Sequence, residues 1–313
     1  MKARWFFLPL LIMGLASCLP AEPPPLAAGT ELPDQEHVKR EITPSVLPTS
    51  TREAATTAAP WPENTPAPQQ TPAPEPVTCS EDEGTLLKFS LSSSVLSRPL
   101  SGSLYLPPCY DSRRPQGYPV LYLLHGIYET DHQWVDLELQ QQVDSLLAGE
   151  EIPPLLIVMP REEKWEIPPR NRFGEAVIQD LIPWVDENYH TSPERGKRAV
   201  GGISRGGNWA LRLGLLSWDK FGAVGVHSAP LFYGDVRKIG DWVKQVPAGN
   251  LPLFYLDIGE DDQQGEYVRE VEEEFNRLGV VHAWHLFPGL HNNDYWRAHL
   301  KDYLRWYTRA WKD

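Results

Sequence analysis

The stretch RAVGGISRGGNWAL, residues 198–211, places Ser204 between Gly202 and Gly206, with a further glycine beyond each of them. An apolar run precedes the serine, and a segment with helical spacing follows it. In a G-x-S-x-G turn between a strand and a helix, the serine takes a strained backbone position and the glycines prevent clashes where the two elements nearly touch. We therefore interpret Ser204 as a nucleophile rather than as part of a structural glycine loop. The spacing does not fit a phosphate-binding loop, which needs a Lys-Ser/Thr ending or G-x-G-x-x-G.

Short apolar runs with turn residues at their ends predict eight strands in the rest of the domain. They are GTLLKFSL, GSLYLP, YPVLYLLHG, PPLLIVMP, KRAVGGIS, FGAVGVHS, LPLFYLDIG and VHAWHLFPG. The first two are expected to be antiparallel, and the later runs are typical of strands that are buried on both faces. Apolar stripes between the runs predict helices over residues 174–189 (Val177, Leu181, Trp184, Asn188) and 263–278 (Val268, Val271, Phe275, Leu278). This alternation predicts a three-layer α/β sandwich with a mostly parallel central sheet.

A serine hydroxyl needs a histidine to accept its proton and an acid to orient that histidine. In open α/β sheets such groups lie after the carboxyl ends of the strands. On this fold the chain order is serine, acid, histidine, which selects His291, on the loop after the last predicted strand, as the base. The other histidines after Ser204 are assigned elsewhere: His282 and His285 to a strand, His299 to the last helix, and His227 to a position before any acid loop.

Four carboxylates are candidates for the acid. Asp257 belongs to a predicted strand, and Glu260, Asp261 and Asp262 occupy the loop beyond it. The residues alone do not choose among the loop carboxylates, since at least one of them should cap the helix that begins near Gln263.

The first 18 residues predict an export signal, with a basic start and an apolar run shorter than the ~20 residues of a membrane span. The end of this segment, LASC at residues 15–18, resembles the lipobox of bacterial lipoproteins. The resemblance implies lipidation of Cys18 and an exported, cell-envelope lipoprotein that contacts the membrane through its lipid anchor only. An ordinary export signal with a chance cysteine is the alternative.

Residues 19–78 hold 14 of the 31 prolines and are rich in Ala, Thr and Glu. A segment of this composition lacks the periodicity to bury a core, so we predict an extended, disordered linker, with a Pro-rich peptide ligand as the alternative. The folded domain is then expected over residues 79–313.

The remaining cysteines and the overall charge limit the other partners. With Cys18 lipidated, Cys79 and Cys109 form an even pair in an oxidising compartment, which predicts a disulfide; two free thiols are the alternative. No Cys/His cluster has metal-ligand spacing, so no metal is expected. The net charge of −13 argues against binding to nucleic acid.

Five motifs in order resemble the landmarks of the esterase D-like α/β-hydrolases. They are YPVLYLLHGIYETDHQW (118–134), DLIPWVDENYHTSPERGKRAVGGISRGG (180–207), FGAVGVHSAP (221–230), DIGEDD (257–262) and FPGLHNNDYW (287–296). This group includes S-formylglutathione hydrolases, feruloyl and acetyl xylan esterases, enterochelin esterases and mycolyltransferases. The resemblance covers about residues 84–311 and implies an α/β-hydrolase fold that needs no metal or organic cofactor.

Carried onto this sequence, the nucleophile of the family falls on Ser204 and its histidine on His291. The family acid commonly stands three places after the glycine that closes the strand, which here implies Asp262, with Asp261 as the second choice.

The resemblance also implies an oxyanion hole made by the backbone amides of Arg205 and Ile127. The side chain of His125 is expected to hold the second of these loops. Many relatives have a smaller or apolar residue at position 205, so the Arg205 side chain is expected either to favour an acidic substrate or to point into solvent.

The predicted function is a serine esterase that hydrolyses esters of carbohydrates or other small molecules through an acyl-enzyme on Ser204. An acyltransferase with the same triad and a catalytically inactive surface binding module are the alternatives. Four aromatic residues after the strands are candidates for an acyl or sugar pocket, with core packing as an equal alternative: Tyr128, Trp134, Trp165 and Tyr233.

Overall fold

A computed structural model describes residues 80–311, in which eight strands form one sheet. Each strand falls on one of the eight predicted apolar runs, which confirms that prediction. The strands are β1 (Thr85–Leu91), β2 (Leu100–Leu106), β3 (Val120–Leu124), β4 (Leu156–Pro160), β5 (Arg198–Ile203), β6 (Ala223–His227), β7 (Leu253–Gly259) and β8 (His282–Phe287). The predicted signal segment 1–18, the linker 19–78 and the lipidation site Cys18 lie outside the described residues.

The strand order across the sheet is β1-β2-β4-β3-β5-β6-β7-β8. The first two strands pair antiparallel, as predicted, and β2 also runs antiparallel to β4, whereas all pairs from β4 to β8 are parallel. From β3 the chain moves to β4 on one side and then to β5 on the other side of β3. The order therefore reverses between β3 and β5, and a site is expected after their carboxyl ends.

Helices cover both faces of the sheet, which gives the predicted three layers. They are α1 (Gln133–Asp136), α2 (Leu139–Ala148), α3 (Phe173–Ala176), α4 (Ile182–Asn188), α5 (Arg205–Leu216), α6 (Ile239–Gln245), α7 (Gly265–Leu278) and α8 (Asn293–Thr308). A hydrophobic core lies on each face of the sheet, and alternate residues of β3 point into the two cores. Tyr122 and Leu124 pack in the core beneath α3 to α7, and Leu121 and Leu123 pack in the core beneath α1, α2 and α8.

The predicted helix over residues 174–189 is present, but its buried face changes along its length. A π turn at Val177–Leu181 joins α3 to α4. The wider turn holds an additional residue, so the buried positions after it are Ile182 and Val185. Trp184 is half-buried and Asn188 is exposed, so the regular stripe that included Asn188 was wrong. In α7, by contrast, Val268, Val271 and Phe275 of the predicted stripe are buried, and Leu278 at its end is half-buried.

Both ends of the described chain lie at the amino-terminal edge of the parallel strands. The strand β1 runs in the same direction as β4, so Thr85 begins at that edge. At the other end, the Trp311 indole donates a 2.7 Å hydrogen bond to the carbonyl of Gly196, just before β5. No helix within residues 80–311 combines the length and apolar character needed to cross a bilayer.

The close approach of α5 to β3 predicts a stability effect at Gly206. A Cβ at this position would lie closer than 3.0 Å to the backbone carbonyls of Leu124 and His125, which cannot move as a side chain can. Although Ala is the better helix former, Gly206→Ala is expected to lower the free energy of unfolding by about 1–3 kcal/mol, measured by urea denaturation. Gly196→Ala is the matched control, since a Cβ there has no atom within 4 Å. Equal stability of the two variants would contradict the packing argument.

Candidate active site

The backbone at Ser204 forms the sharp turn that the glycine pattern predicts. Ser204 stands between the end of β5 and the start of α5 with φ 52° and ψ −116°, a conformation that non-glycine residues rarely adopt. A Cβ at Gly202 would lie closer than 3.0 Å to the backbone of Gly206, so only glycine fits there. The Ser204 amide donates a 2.8 Å hydrogen bond to the carbonyl of His227 at the end of β6, which holds the turn against the neighbouring strand.

Three side chains from separate loops form a hydrogen-bonded chain. The Ser204 Oγ lies 3.0 Å from His291 Nε2, and His291 Nδ1 lies 2.8 Å from Asp262 Oδ2. Because the Asp262 carboxylate is an acceptor, Nδ1 carries the proton and leaves Nε2 to accept the serine proton. The Asp262 side chain is fully buried, and the His291 ring is partly open to solvent. This is the arrangement in which a histidine acts as general base for a serine nucleophile.

Asp262 is the loop carboxylate that contacts His291. Its second oxygen, Oδ1, accepts a 2.7 Å hydrogen bond from the amide of Gln264, the residue just before α7. Gln264 itself is the N-cap of α7 and makes no side-chain cap bond, so the expectation that a loop carboxylate caps this helix was wrong. Asp261 and Glu260 are exposed, and the Asp261 amide donates to the carbonyl of Gly289.

The strand carboxylate Asp257 belongs to a different buried group. It accepts hydrogen bonds of 2.6 Å from His227 and of 2.7 Å each from the hydroxyls of Tyr295 and Tyr303. The other nitrogen of His227 bonds to the Tyr307 hydroxyl at 2.8 Å. His227 is therefore fully occupied within the core. The remaining histidines lie where the sequence placed them, His282 and His285 in β8 and His299 in α8.

The two backbone segments proposed for the oxyanion hole lie on either side of Ser204. Arg205 is the first residue of α5, where backbone amides have no acceptor within the helix. Gly126 is adjacent to Ser204, because a Cβ at Gly126 would stand 3.8 Å from the Ser204 Cβ. The Gly126 amide donates a 2.8 Å hydrogen bond to Gln133 Oε1. The next amide along the chain is that of Ile127.

A cavity of about 330 Å³ opens above these groups. Gly126, Ile127, Ser204 and His291 line it together with polar residues that the sequence analysis missed: Glu129, Gln133, Asn292 and Asn293. A signal for Asn292 exists, because asparagine directly before a helix is a preferred N-cap and its Oδ1 accepts the Tyr295 amide at 3.0 Å. Nothing in the local sequence marks Glu129 or Gln133.

The Arg205 side chain neither points into solvent nor offers a free charge to an acidic substrate, so both expectations were wrong. Its guanidinium is buried and forms hydrogen bonds of 2.8 and 2.7 Å with the Glu162 carboxylate. The glutamate lies two residues beyond the end of β4, and no motif in the sequence linked it to the serine turn.

The four aromatic candidates for a pocket have different environments. Trp134 is fully buried in the core, so of the two interpretations given for it core packing holds and the pocket role does not. Tyr128 is exposed and its ring packs edge-on against half-buried Trp165, with centroids 5.8 Å apart. Tyr233 is 90% exposed.

The structure describes only one of the two cysteines in the predicted disulfide. Cys109 is disulfide-bonded, but Cys79 lies outside the described residues, so the pairing of these two residues stays a prediction. Across residues 80–311 there is no group of three or more His, Cys, Asp or Glu side chains arranged to hold a metal ion.

Comparison with known proteins supports the same class of fold. A solved ferulic acid esterase structure is similar with a TM-score of 0.64 and 24% identity, over 73% of this chain and 99% of that one. The sheet order, the serine turn and this similarity define an α/β-hydrolase fold. The model of the Esterase family matches residues 93–307, and the chain belongs to this family.

Two curated proteins are similar in sequence. The chain is 27% identical over 179 residues to an endo-1,4-beta-xylanase/feruloyl esterase of Xylanibacter ruminicola, a match that covers 54% of this chain and 25% of that protein. It is 24% identical over 229 residues to an acetyl esterase of Caldicellulosiruptor saccharolyticus, covering 61% of this chain and 83% of that protein. The chain thus spans only a quarter of the length of the first relative.

The contact between Asp262 and His291 predicts different results for two neighbouring substitutions. In Asp262→Asn, the amide can present an N–H to His291 and favour the wrong tautomer, so kcat for ester hydrolysis is expected to fall by about 10³- to 10⁴-fold. The remaining side-chain oxygen of this variant can still accept the Gln264 amide, which keeps the bond that holds the chain just before α7. Asp261→Asn, at an exposed side chain, is the matched control and is expected to stay close to wild type in steady-state kinetics. A larger loss in Asp261→Asn than in Asp262→Asn would reverse the assignment.

Proposed function

We propose that this protein is a serine esterase that cleaves carboxylic esters through an acyl-enzyme on Ser204. The observation that carries the proposal is the chain of hydrogen bonds from Ser204 through His291 to buried Asp262, at 3.0 and 2.8 Å. Membership of the Esterase family and the names of the relatives support the same reaction class.

The first half of the reaction forms the acyl-enzyme. Ser204 Oγ attacks the ester carbonyl carbon while His291 Nε2 takes the hydroxyl proton, and the Asp262 carboxylate stabilises the imidazolium. The carbonyl oxygen becomes an oxyanion, which the amides of Arg205 and Ile127 stabilise by roughly 3–4 kcal/mol each. The carbon–oxygen bond to the alcohol then breaks, and His291 gives its proton to the leaving oxygen.

The second half releases the acid. A water molecule gives a proton to His291 Nε2 as its oxygen attacks the acyl carbon, and the same amides stabilise the second oxyanion. The intermediate collapses to the carboxylic acid, and the proton returns from His291 to Ser204 Oγ.

The cavity supports a neutral, hydroxyl-bearing substrate, such as an acylated carbohydrate. The side chains of Asn292 and Asn293 line the space beside the serine. Their oxygens accept hydrogen bonds from the Tyr295 amide and Gln133 Nε2, and their amide nitrogens are suited to hydrogen bonds with substrate hydroxyl groups. The Glu129 carboxylate lines the same cavity, and its negative charge disfavours an anionic substrate. Relatives named feruloyl esterase and acetyl esterase are consistent with this class.

A substrate screen with a nucleophile variant tests the proposal. The full chain is assayed with p-nitrophenyl acetate, methyl ferulate and acetylated xylan, and with a fluorophosphonate probe that labels active serines. Wild type is expected to turn over at least one ester and to be labelled, whereas Ser204→Ala loses about 10³-fold or more in kcat and all labelling. Ser217→Ala, at the opposite end of α5, is the control and is expected to behave as wild type.

Three results would change the proposal. Absence of both turnover and labelling in wild type would favour an inactive binding module. Full turnover by Ser204→Ala would mean that another group is the nucleophile. Acyl transfer to an added sugar acceptor in preference to water, seen by product analysis, would favour an acyltransferase.

We also propose that the protein is exported and anchored to the cell envelope through lipid on Cys18. The LASC segment at residues 15–18 after a short apolar run supports this localisation. Mass spectrometry of the mature amino terminus is expected to find a lipid-modified Cys18 as the first residue. An unmodified terminus at another residue would rule out the anchor.

A further inference from the structure

Glu162 is a buried carboxylate that the proposed reaction does not use. It lies just after β4 and is 2% exposed. Besides its two bonds to Arg205, its Oε1 accepts hydrogen bonds from Asn171 Nδ2 at 2.5 Å and from Trp209 Nε1 at 3.0 Å. A buried charge with this many partners is held in one position.

Through its carboxylate, Glu162 holds the first turn of α5. The Arg205 guanidinium lies between this carboxylate and two aromatic rings, at 5.7 Å from the Trp165 centroid and 5.0 Å from the Phe232 centroid. Its Nη2 also donates to the Glu166 carbonyl at 2.5 Å. Because the Arg205 side chain is fixed at its far end, rotation of the Arg205 backbone is restricted, and with it the direction of the amide next to Ser204.

Through its own backbone, Glu162 holds the loop after β3. The Glu162 amide donates a 2.8 Å hydrogen bond to His125 Nε2, so this nitrogen is the acceptor. The proton of the neutral ring is then on Nδ1, which lies 2.8 Å from the Gly126 carbonyl oxygen and donates to it. Burial lowers the pKa of His125 to about 4, so the ring remains neutral near pH 7.

The Gly126 carbonyl accepts hydrogen bonds from His125 Nδ1 and, at 3.3 Å, from the Glu129 amide, and these bonds restrict where the next amide points. The C=O of Gly126 and the N–H of Ile127 belong to one planar peptide unit, and in a trans peptide the two groups point in opposite directions. Fixing the carbonyl toward His125 therefore directs the Ile127 N–H away from it. One residue thus restrains both segments that carry the proposed oxyanion donors.

We propose that Glu162 is a positioning residue that aligns the backbone amides of Arg205 and Ile127 with each other across the serine turn. This inference rests on the proposed function, since it concerns the oxyanion hole of the same site. Replacement of a buried ion pair by apolar residues is often neutral for stability, so stability alone does not require a charged pair at this position. The hydrogen bonds of Glu162 to both donor segments indicate that it positions them.

Glu162→Gln tests the side-chain link of the proposal, because it keeps the side-chain shape and the backbone amide that bonds to His125 but removes the charge that holds Arg205. Misaligned donors weaken transition-state stabilisation more than ground-state binding. With p-nitrophenyl acetate, kcat is expected to fall by about 10- to 100-fold and KM to stay within about threefold. The second-order rate of fluorophosphonate labelling at Ser204 is expected to fall by a similar factor, since the phosphoryl oxygen uses the same donors.

Asp235→Asn is the matched control. Asp235 is buried and pairs with Arg212 at 2.5 Å, so this variant also breaks a buried ion pair to α5, but at a site without hydrogen bonds to either donor segment. Its kcat and labelling rate are expected to remain near wild type even if its melting temperature falls as much as that of Glu162→Gln. Glu162→Asp, which keeps the charge, is expected to give intermediate rates and serves as the test variant if Glu162→Gln does not fold.

The results separate this proposal from the proposed function. A wild type that neither turns over esters nor is labelled by the fluorophosphonate would refute the esterase itself. A labelled wild type with unchanged kcat and labelling rate in folded Glu162→Gln, or Glu162→Asp where it replaces Glu162→Gln, would refute only the positioning role. Equal rate losses in Glu162→Gln and Asp235→Asn, or a loss seen wholly in KM, would also refute it.

Discussion

The site depends on the close contact of three backbone segments at the centre of the sheet. The end of β3, the end of β5 and the start of α5 approach so closely that a single methyl group at Gly202 or Gly206 would overlap with backbone atoms. The approach is possible because Ser204 adopts a positive φ and turns the chain directly from strand to helix. Backbone strain of this kind persists only where the surrounding structure enforces it. Here the enforcement comes from parallel strand pairing on both sides of β5.

Two buried carboxylates, each in a separate group of hydrogen bonds, are connected to this contact. Glu162, just after β4, is bonded to Asn171 and to Arg205 and Trp209 of α5. Asp257, in β7, is bonded to His227 at the end of β6 and to two tyrosines of α8. Both groups are connected to the serine turn, the first through Arg205 and the second through the His227 carbonyl that accepts the Ser204 amide. Because buried polar groups are costly unless they are satisfied, such networks favour one arrangement of the turn over its alternatives.

The sequence predicted the layers and the strands well because these depend on local apolar periodicity. All eight runs became strands, and the central strands β3 to β6 are buried along their whole length, as continuous apolar runs predict, whereas the edge strands β1 and β8 are largely exposed or half-buried. The π turn at Val177–Leu181 was not predicted, because helical spacing alone assumes a constant period. The turn at Ser204 follows from its glycines, but the residues alone could not choose Asp262 over Asp261. That choice came from the resemblance, and it depends on which carboxylate turns inward after β7. The environment of Arg205 could not be inferred because its partner Glu162 is 43 residues away in the chain, after a different strand.

The two ends of the described chain and the serine turn lie at opposite edges of the sheet. Thr85, where β1 begins, and Trp311, which is hydrogen-bonded to Gly196, lie at the amino-terminal edge of the parallel strands. The serine turn lies at the carboxyl-terminal edge. A segment joined directly to the described domain at either of these ends therefore starts at the edge of the sheet opposite the cavity mouth. A reporter protein or solid support linked close to residue 80 or residue 311 is thus expected to leave the cavity beside Ser204 open.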